Sequence, residues 1–288
     1  MLRVALTAER TEDYWRPLIE AHWHVVDWVA GPDGLGIVAC PKVTVAGVKV
    51  VGAVSKDERW EQLESSMART PKRISPAQPH ARRAILACYG PSLTDMIPRI
   101  RAELDEASCD VVSVSGAHDL LLRHDITPTY HVECDPRPHK ADNIAQGHPS
   151  VQYLVASVVH PVLFDKLAGF DVRLWHVADS EHTPKLMRLG EKGQHIITGG
   201  GSVGLRAISL LYTMGYRDFS IYAMDCSFAD DGRQWAGKHA GKQHEQMVVK
   251  LMCNGREFTT SPVLATYATD FIEMIQKMDA QVRVYGDG

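Results

Sequence analysis

The chain has 288 residues, a formal net charge of -4, and 45% hydrophobic and 23% charged residues. Such a composition excludes a disordered or fibrous protein, and the length is sufficient to bury a large core. The small negative charge disfavours a dominant nucleic-acid-binding surface, which would require clustered Lys and Arg. We expect a main domain with a smaller appendage.

The amino terminus lacks the features of a secretory signal, because Met1–Ala8 passes directly into the charged stretch Glu9–Asp13. No apolar run approaches the length of a membrane span. The six cysteines show no metal-ligand spacing and mostly lie in apolar runs, which is typical of reduced thiols. They are Cys40, Cys88, Cys109, Cys134, Cys226 and Cys253. We therefore expect a cytoplasmic protein without a membrane span.

Two β-rich runs mark the first part of the chain, Val25–Val29 and Val43–Val51, and the turn-forming Gly31–Gly34 lies between them. Residues 1–68 are predicted to form a small α/β region. The stretch from Arg69 to His80 is basic and rich in proline, which disfavours regular structure. Residues 69–82 are therefore predicted to be a connector.

From residue 83 to 288, strand-like runs alternate with segments of helical length, which predicts parallel β-α-β units. The predicted strands are Arg83–Cys88, Val111–Ser115, Tyr130–Cys134, Val151–Ala156, Val172–Val177, Phe219–Met224 and Gln281–Tyr285. The clearest helix is Gly204–Met214, with Gly215 at its end. The predicted fold is α/β: a Rossmann-like, mostly parallel sheet with helices on both faces. After the last strand, a further helix would fit the pattern.

The first candidate site follows the predicted strand Arg83–Cys88, where Gly90, Pro91 and Ser92 precede a helix. Open α/β sheets bind phosphates at such positions, because backbone N–H groups at a helix start carry partial positive charge. Ser92 can donate to a phosphate or simply cap the helix. Ser115, at the end of the next predicted strand, is included among the phosphate-binding candidates.

The second candidate site is Asp135, which follows the predicted strand Tyr130–Cys134 and precedes Pro136. Asp135 can bind a ribose, a metal-bound phosphate or an acceptor hydroxyl; the alternative is a turn-forming Asp-Pro pair. His131 and His139 flank it at four-residue spacing, which would suit a metal site on a helix. Pro136 and Pro138 argue against that helix, so we expect no tightly bound metal.

The third candidate site is the run Gly199, Gly200 and Gly201, followed by Ser202 at the start of the predicted helix. Consecutive glycines allow a ligand to approach the backbone closely, although a structural turn is the alternative. The run has neither the lysine of a P-loop nor the spacing of a dinucleotide fingerprint.

The fourth candidate site begins with Asp225, again where a strand meets a loop, and continues to the glycine-flanked stretch that holds His239. An imidazole titrates near neutral pH, which suits a general base or a phosphate donor. An exposed loop histidine is the alternative. Lys238 and Lys242 can attract an anionic donor or solvate the loop.

Taken in order, Gly90–Leu93, Asp135-Pro136, Gly200–Val203 with its helix, and Met224-Asp225 resemble the MptE-like 6-hydroxymethylpterin diphosphokinase domain and the related Maf flagellin glycosyltransferases. They are also similar to bacterial sialyltransferases that carry a Gly-x-Gly-Pro-Ser-Leu loop. The resemblance extends from about Arg83 to Lys242 and leaves the first eighty residues unexplained.

The resemblance implies two reactions. A Maf or sialyltransferase-like enzyme would use a CMP-activated sugar, with the nucleotide in the loops at Gly90 and Gly200 and with His239 as the base. An MptE-like enzyme would transfer diphosphate from ATP to a pterin alcohol, with Asp135 and Asp225 as ligands of Mg²⁺ or partners of the hydroxyl. The implied partners are a nucleotide and a small-molecule, glycan or protein acceptor.

Two positions depart from the sialyltransferase pattern: Tyr89 replaces an Asn, and Ser227 replaces a tyrosine that assists the leaving group. The glycine loop also lacks the acidic residues expected of a diphosphokinase, whereas Ala236–His239 resembles the glycosyltransferases. Glycosyl transfer is therefore favoured over diphosphate transfer. A non-catalytic binding or assembly module is the third hypothesis, because fold resemblance does not establish chemistry. The sequence does not determine the oligomeric state.

Overall fold

The computed structural model describes residues 2–6, 23–31, 34–41, 53–69, 72–106, 108–237, 247–253 and 255–288. The amino-terminal strands β1 (Leu2–Leu6), β2 (Trp23–Gly31) and β3 (Gly34–Pro41) form an antiparallel sheet in the order β1-β3-β2. β2 ends at Gly31 and β3 begins at Gly34, where the sequence predicts a turn. The predicted β-rich run Val43–Val51 lies outside the described residues.

The main sheet has eight strands in the order β13-β10-β4-β5-β6-β7-β8-β9, and every pair of neighbours is parallel. Its strands are β4 (His80–Ala87), β5 (Cys109–Val114), β6 (Tyr130–Glu133), β7 (Gln152–Ala156), β8 (Asp171–Val177), β9 (Ile196–Ile197), β10 (Tyr216–Tyr222) and β13 (Gln281–Tyr285). An antiparallel hairpin, β11 (Val249–Cys253) and β12 (Arg256–Thr260), lies between β10 and β13 in the sequence. The predicted parallel α/β fold is confirmed.

Most strands of the main sheet are followed by an α-helix, in agreement with the alternation that the sequence predicts. The described α-helices are α1 (Lys56–Arg69), α2 (Leu93–Glu106), α3 (Ala117–Arg123), α4 (Pro161–Lys166), α5 (His182–Arg188), α6 (Val203–Thr213) and α7 (Pro262–Ile275), with 3₁₀ turns at Pro138–Asn143 and Gly193–His195. Within these ranges, no helix is both long and apolar enough to cross a bilayer.

Helices cover both faces of the sheet because side chains of successive strand residues point to opposite sides. On β4, Ile85 and Ala87 belong to a hydrophobic cluster that also contains residues of α2 and α3. Ala84 and Leu86 belong to a second cluster, which contains residues of α4 and α6. Strands buried on both faces read as continuous apolar runs, and this explains why the sequence located them.

The best-predicted helix, α6, begins and ends as its sequence requires. Ser202 is its N-cap and accepts a hydrogen bond from the N–H of Leu205 at 3.2 Å. Gly215 follows the helix with φ +98°, a conformation that glycine adopts without strain. The chain then enters β10 at once, which places the amino end of α6 near the carboxyl ends of the strands.

The predicted connector packs along β8. Ile74 is buried, and its N–H donates to the carbonyl oxygen of Leu174 at 3.1 Å. The N–H of Leu174 donates in turn to the carbonyl oxygen of Lys72 at 2.9 Å. Arg73 forms an ion pair with Glu191 at 2.5 Å. β4 begins at His80, three residues before the predicted strand. The division of the chain at residues 69–82 stays a prediction.

Candidate functional site

A cleft of about 520 Å³ lies at the carboxyl ends of the parallel strands. The chain order of the strands reverses at β4, which has β10 on one side and β5 on the other. Ligands of open α/β sheets bind outside the carboxyl ends of the strands at such a switch point. The segments after β4 and β10 both line this cleft, as do the starts of the loops after β5 and β6.

The loop after β4 is closed by a carboxylate from the loop after β10. Asp225 accepts a hydrogen bond from the N–H of Ser92 at 2.9 Å and another from its hydroxyl at 2.7 Å. The carboxylate therefore occupies the amino end of α2, the position where a bound anion was expected. Gly90 is required here, because a Cβ would lie 2.4 Å from the carbonyl oxygen of Ala223 and 2.5 Å from Asp225 Oδ2.

The short segment that carries Asp225 is fixed at several points. The N–H of Ala223 donates to the backbone carbonyl oxygen of Tyr285 at 2.8 Å. The hydroxyl of Thr260 donates to the carbonyl oxygen of Cys226 at 2.6 Å. Phe228 donates its N–H to the carbonyl of Thr259 at 2.8 Å. The β11-β12 hairpin thus holds the loop after β10 in place.

Three non-glycine residues with left-handed backbone line the cleft: Ser115 with φ 49°, Ala223 with φ 54° and Cys226 with φ 51°. Such residues cost about 1–3 kcal/mol each and persist only where the surrounding structure enforces them. Their concentration around one cleft is typical of a functional site.

The loop after β6 contributes a charged cluster. Arg137 donates from Nε and Nη2 to the carboxylate of Asp135 at 2.9 and 2.5 Å, and Lys140 Nζ lies 3.7 Å from the same carboxylate. Burial opposes the ionisation of Asp135, but the hydrogen bond from Arg137 and the charge of Lys140 lower its pKa. Lys140 itself is only 7% exposed, and burial lowers its pKa although Asp135 acts in the opposite direction.

Behind this cluster, Glu133 is fully buried and organises the loop. Its Oε1 accepts the N–H groups of Cys134 and Asp135 at 2.9 and 3.0 Å, whereas Oε2 has no hydrogen-bond partner among the described residues. Burial raises the pKa of Glu133 to about 7, and the charge of Asp135 adds to this effect. A substantial fraction of Glu133 is therefore protonated at neutral pH.

The glycine run before α6 is fitted against α7. A Cβ on Gly201 would lie 2.6 Å from the ring of Tyr267, and a Cβ on Gly200 would lie 3.0 Å from Asp270 and 2.4 Å from the side chain of Leu205. Gly199 has φ +137°. Side-chain packing and backbone conformation thus account for all three glycines, independently of any ligand.

The profile of the MptE-like family, described as 6-hydroxymethylpterin diphosphokinase MptE-like, matches residues 61–231, which is more than half of the chain. The chain belongs to the MptE-like family. Its fold is similar to the solved structure of the MAf glycosyltransferase from Magnetospirillum magneticum AMB-1, with a TM-score of 0.60 and 17% identity. The match covers 82% of this chain but only 38% of that one. No curated protein matches the sequence.

In this MptE-like protein, most of the predicted site residues meet at the cleft. Its lining includes the predicted residues Gly90, Pro91, Ser115, Asp135, Gly201, Ser202 and Asp225. Ser92 is buried beneath Asp225, and Gly199 and Gly200 lie outside the lining. His239, the predicted base, and the neighbouring Lys238 and Lys242 lie outside the described residues.

Sequence reasoning missed most of the cationic side chains of the cleft in this MptE-like chain. Among the described residues, the cations Arg59, Arg137, Lys140 and Arg206 line the cleft together with two acidic residues, Asp135 and Asp225. Arg137 and Lys140 follow the Asp135-Pro136 pair within five residues. This basic cluster next to a candidate site is the sequence feature that could have identified them. Arg59 and Arg206 lie on α1 and α6, and no local pattern distinguishes them from surface residues.

The described residues of the MptE-like protein do not form a ready site for Mg²⁺. No group of three or more His, Cys, Asp or Glu side chains among them is arranged to hold a metal. Asp135 and Asp225, the two predicted ligands, direct their oxygens at Arg137 and Ser92. Each would have to leave these donors in order to coordinate a cation.

Proposed function

We propose that this protein is a transferase that uses a nucleotide-activated donor, a CMP-sugar, and transfers the sugar to a hydroxyl group of a small-molecule, glycan or protein acceptor. The cleft at the switch point of a parallel sheet supports a nucleotide ligand. Its fold similarity to a MAf glycosyltransferase supports glycosyl transfer.

The proposal depends on the hydrogen-bond partners of Asp135 and Asp225, the acidic residues in the described lining of the cleft. Asp225 is bound to Ser92 and Asp135 to Arg137, so neither carboxylate is presented to a divalent cation. ATP-dependent diphosphate transfer relies on Mg²⁺ to neutralise the phosphates. A CMP-sugar has a single phosphate, whose charge the cationic side chains of the cleft can balance directly.

In the proposed reaction, the acceptor oxygen attacks the anomeric carbon and forms a new C–O bond. The bond from that carbon to the phosphate oxygen breaks, and CMP leaves with the electron pair. The acceptor proton passes to a general base, for which His239 remains our candidate. Gln234 and Trp235 line the cleft, and Ala236 donates its N–H to the carbonyl oxygen of Tyr89 at 3.2 Å. The segment that leads to His239 therefore begins at the cleft.

The second candidate function is transfer of diphosphate from ATP to a pterin alcohol, which the description of the family favours. It requires Mg²⁺, and therefore requires Asp135 and Asp225 to exchange their present partners for the cation. The third candidate, a non-catalytic binding module, requires no reaction at the cleft.

Calorimetric titration of the purified chain with CMP, CDP, ATP and ADP, each with and without Mg²⁺, tests the proposal. We expect CMP to bind without Mg²⁺ and the protein to release CMP from a CMP-sugar in the presence of an acceptor. Binding of adenine nucleotides that depends on Mg²⁺ would replace glycosyl transfer with diphosphate transfer. Absence of nucleotide binding would favour the non-catalytic module.

A further inference from the structure

Several of the backbone donors that the sequence offers for phosphate binding are used within the protein. At the start of α2, the N–H of Ser92 binds Asp225. Before α6, the N–H of Gly201 is donated to Asp270, and the N–H of Leu205 to the Ser202 hydroxyl. A phosphate in this cleft can therefore use only part of these backbone donors, and cationic side chains would supply the rest.

Cationic side chains converge at the end of the cleft formed by the loop after β6. Asp135 engages the Nε–Nη2 edge of the Arg137 guanidinium, and this fixes the plane of the group. Lys140 is held nearby by the 3₁₀ turn that begins at Pro138, in which its N–H is donated to the carbonyl of Arg137 at 3.1 Å.

Arg206 lines the same cleft from the first turn of α6. Its Nη1 group donates a hydrogen bond to the carbonyl oxygen of Ile197 at 3.5 Å. Burial raises the pKa of the Cys134 thiol at the end of β6, and the positive charge of Arg206 acts in the opposite direction. Tyr267 of α7 lies against Gly201 and close to Asp135 and Arg137. The loop after β6, α6 and α7 thus all contribute side chains to the lining of the cleft, and the first two contribute its cations Arg137, Lys140 and Arg206.

We infer that Arg137, Lys140 and Arg206 form an anion-binding subsite that holds the phosphate of the donor nucleotide. This inference rests on the proposed function and assigns the part of the site that recognises the phosphate. Asp135 pairs with Arg137 and with Lys140. A phosphate would bring a second negative charge to the part of the cleft that these cations line. Asp135 then positions Arg137 rather than reacting with the substrate.

The test compares cytidine with CMP, which differ only in the phosphate, by calorimetry without Mg²⁺ on the full chain. We expect wild type to bind CMP more tightly than cytidine. Lys140→Met and Arg206→Met should each weaken CMP binding by about 10- to 100-fold, because each removes a charge-assisted hydrogen bond, and should leave cytidine binding unchanged. Lys277→Met, which alters an exposed lysine of the turn after α7, is the control and should bind both ligands like wild type.

A loss that is equal for cytidine and CMP, or normal CMP binding by both variants, would overturn the subsite while the proposed function stands. Adenosine and ADP are titrated in parallel with Mg²⁺. If only they bind, and Lys140→Met weakens ADP alone, the subsite stands and the cytidine donor is wrong. If wild type binds neither pair of ligands, both inferences are overturned.

Discussion

Ser92 donates two hydrogen bonds to the carboxylate of Asp225, one from its backbone and one from its hydroxyl, across 133 positions of sequence. The pair joins the loops after β4 and β10, the two strands that flank the switch point. Both residues are nearly inaccessible to water. Asp225, which the sequence predicts to be a catalytic residue, is thus bound to the loop that the sequence predicts to bind a phosphate.

Replacement of Ser92 by Ala should lower the free energy of unfolding by about 2 kcal/mol, because a buried carboxylate loses a charge-assisted hydrogen bond. Urea denaturation followed by circular dichroism measures this change. Ser150→Ala, at an exposed serine, is the control and should unfold like wild type. Equal stability of the two variants would show that the hydroxyl contributes nothing.

Asp225→Asn separates a positioning role from a chemical one. The amide oxygen can still accept one bond, but the negative charge at the amino end of α2 is lost, so stability should fall by about 1–2 kcal/mol. CMP affinity should fall with it, since the loop lines the cleft. Asp230→Asn, at an exposed aspartate, is the matched control. Wild-type stability and CMP affinity combined with abolished transfer would instead make Asp225 catalytic.

Gly90→Ala should disrupt the cleft, because the added methyl group would overlap the carbonyl of Ala223 and the carboxylate of Asp225. Overpacking of this kind costs about 1–3 kcal/mol, and here both neighbours are fixed by hydrogen bonds. Nucleotide binding and thermal stability should fall together. Gly193→Ala, where a Cβ meets nothing within 4 Å, is the control. If the two variants behaved alike, the loop would be more compliant than its geometry implies.

Glu133 should make stability depend on pH. Its pKa is raised to about 7 in the folded protein, so its contribution is fully present below about pH 4.5 and is lost as pH rises through 7. The loss amounts to about 3 kcal/mol, since one pKa unit corresponds to about 1.4 kcal/mol.

Glu133→Gln cannot ionise and should lack this loss, so its stability relative to wild type should increase between pH 5 and 8. Urea denaturation across this range measures the difference. Glu64→Gln, at an exposed glutamate of α1, controls for general charge effects. A difference between Glu133→Gln and wild type that does not change with pH would refute the raised pKa.

Much of the fold follows from local sequence. The central strands β5 to β8 are largely buried on both faces, so they appear as apolar runs. The observed bounds of the predicted strands lie within about three residues of the predicted ones. Ser202 and Gly215 mark the ends of α6 because caps act locally. The two-residue strand β9 was not predicted because it contributes only Ile196 and Ile197. The β11-β12 hairpin was not predicted either, although β11 lies in the largely apolar run Met247–Cys253.

The site was predictable only in part. The loops after β4, β5, β6, β9 and β10 were predicted as candidate sites, because parallel strands end at one edge of the sheet. The contacts between loops were not, since no local pattern tells that Asp225 binds Ser92 rather than a ligand. In the sequence, Arg206 likewise has the pattern of an ordinary helix residue. Only the fold shows that it lines the cleft and that its charge acts on the pKa of Cys134.

The packing of the predicted connector along β8 affects how this protein should be shortened for expression. A recombinant fragment that starts at Arg83 would lose the first three residues of β4 and would leave the backbone of Leu174 without the partners that Lys72 and Ile74 supply. An uncovered strand with unpaired N–H and C=O groups promotes aggregation. A fragment that begins before α1 should therefore be the more soluble of the two.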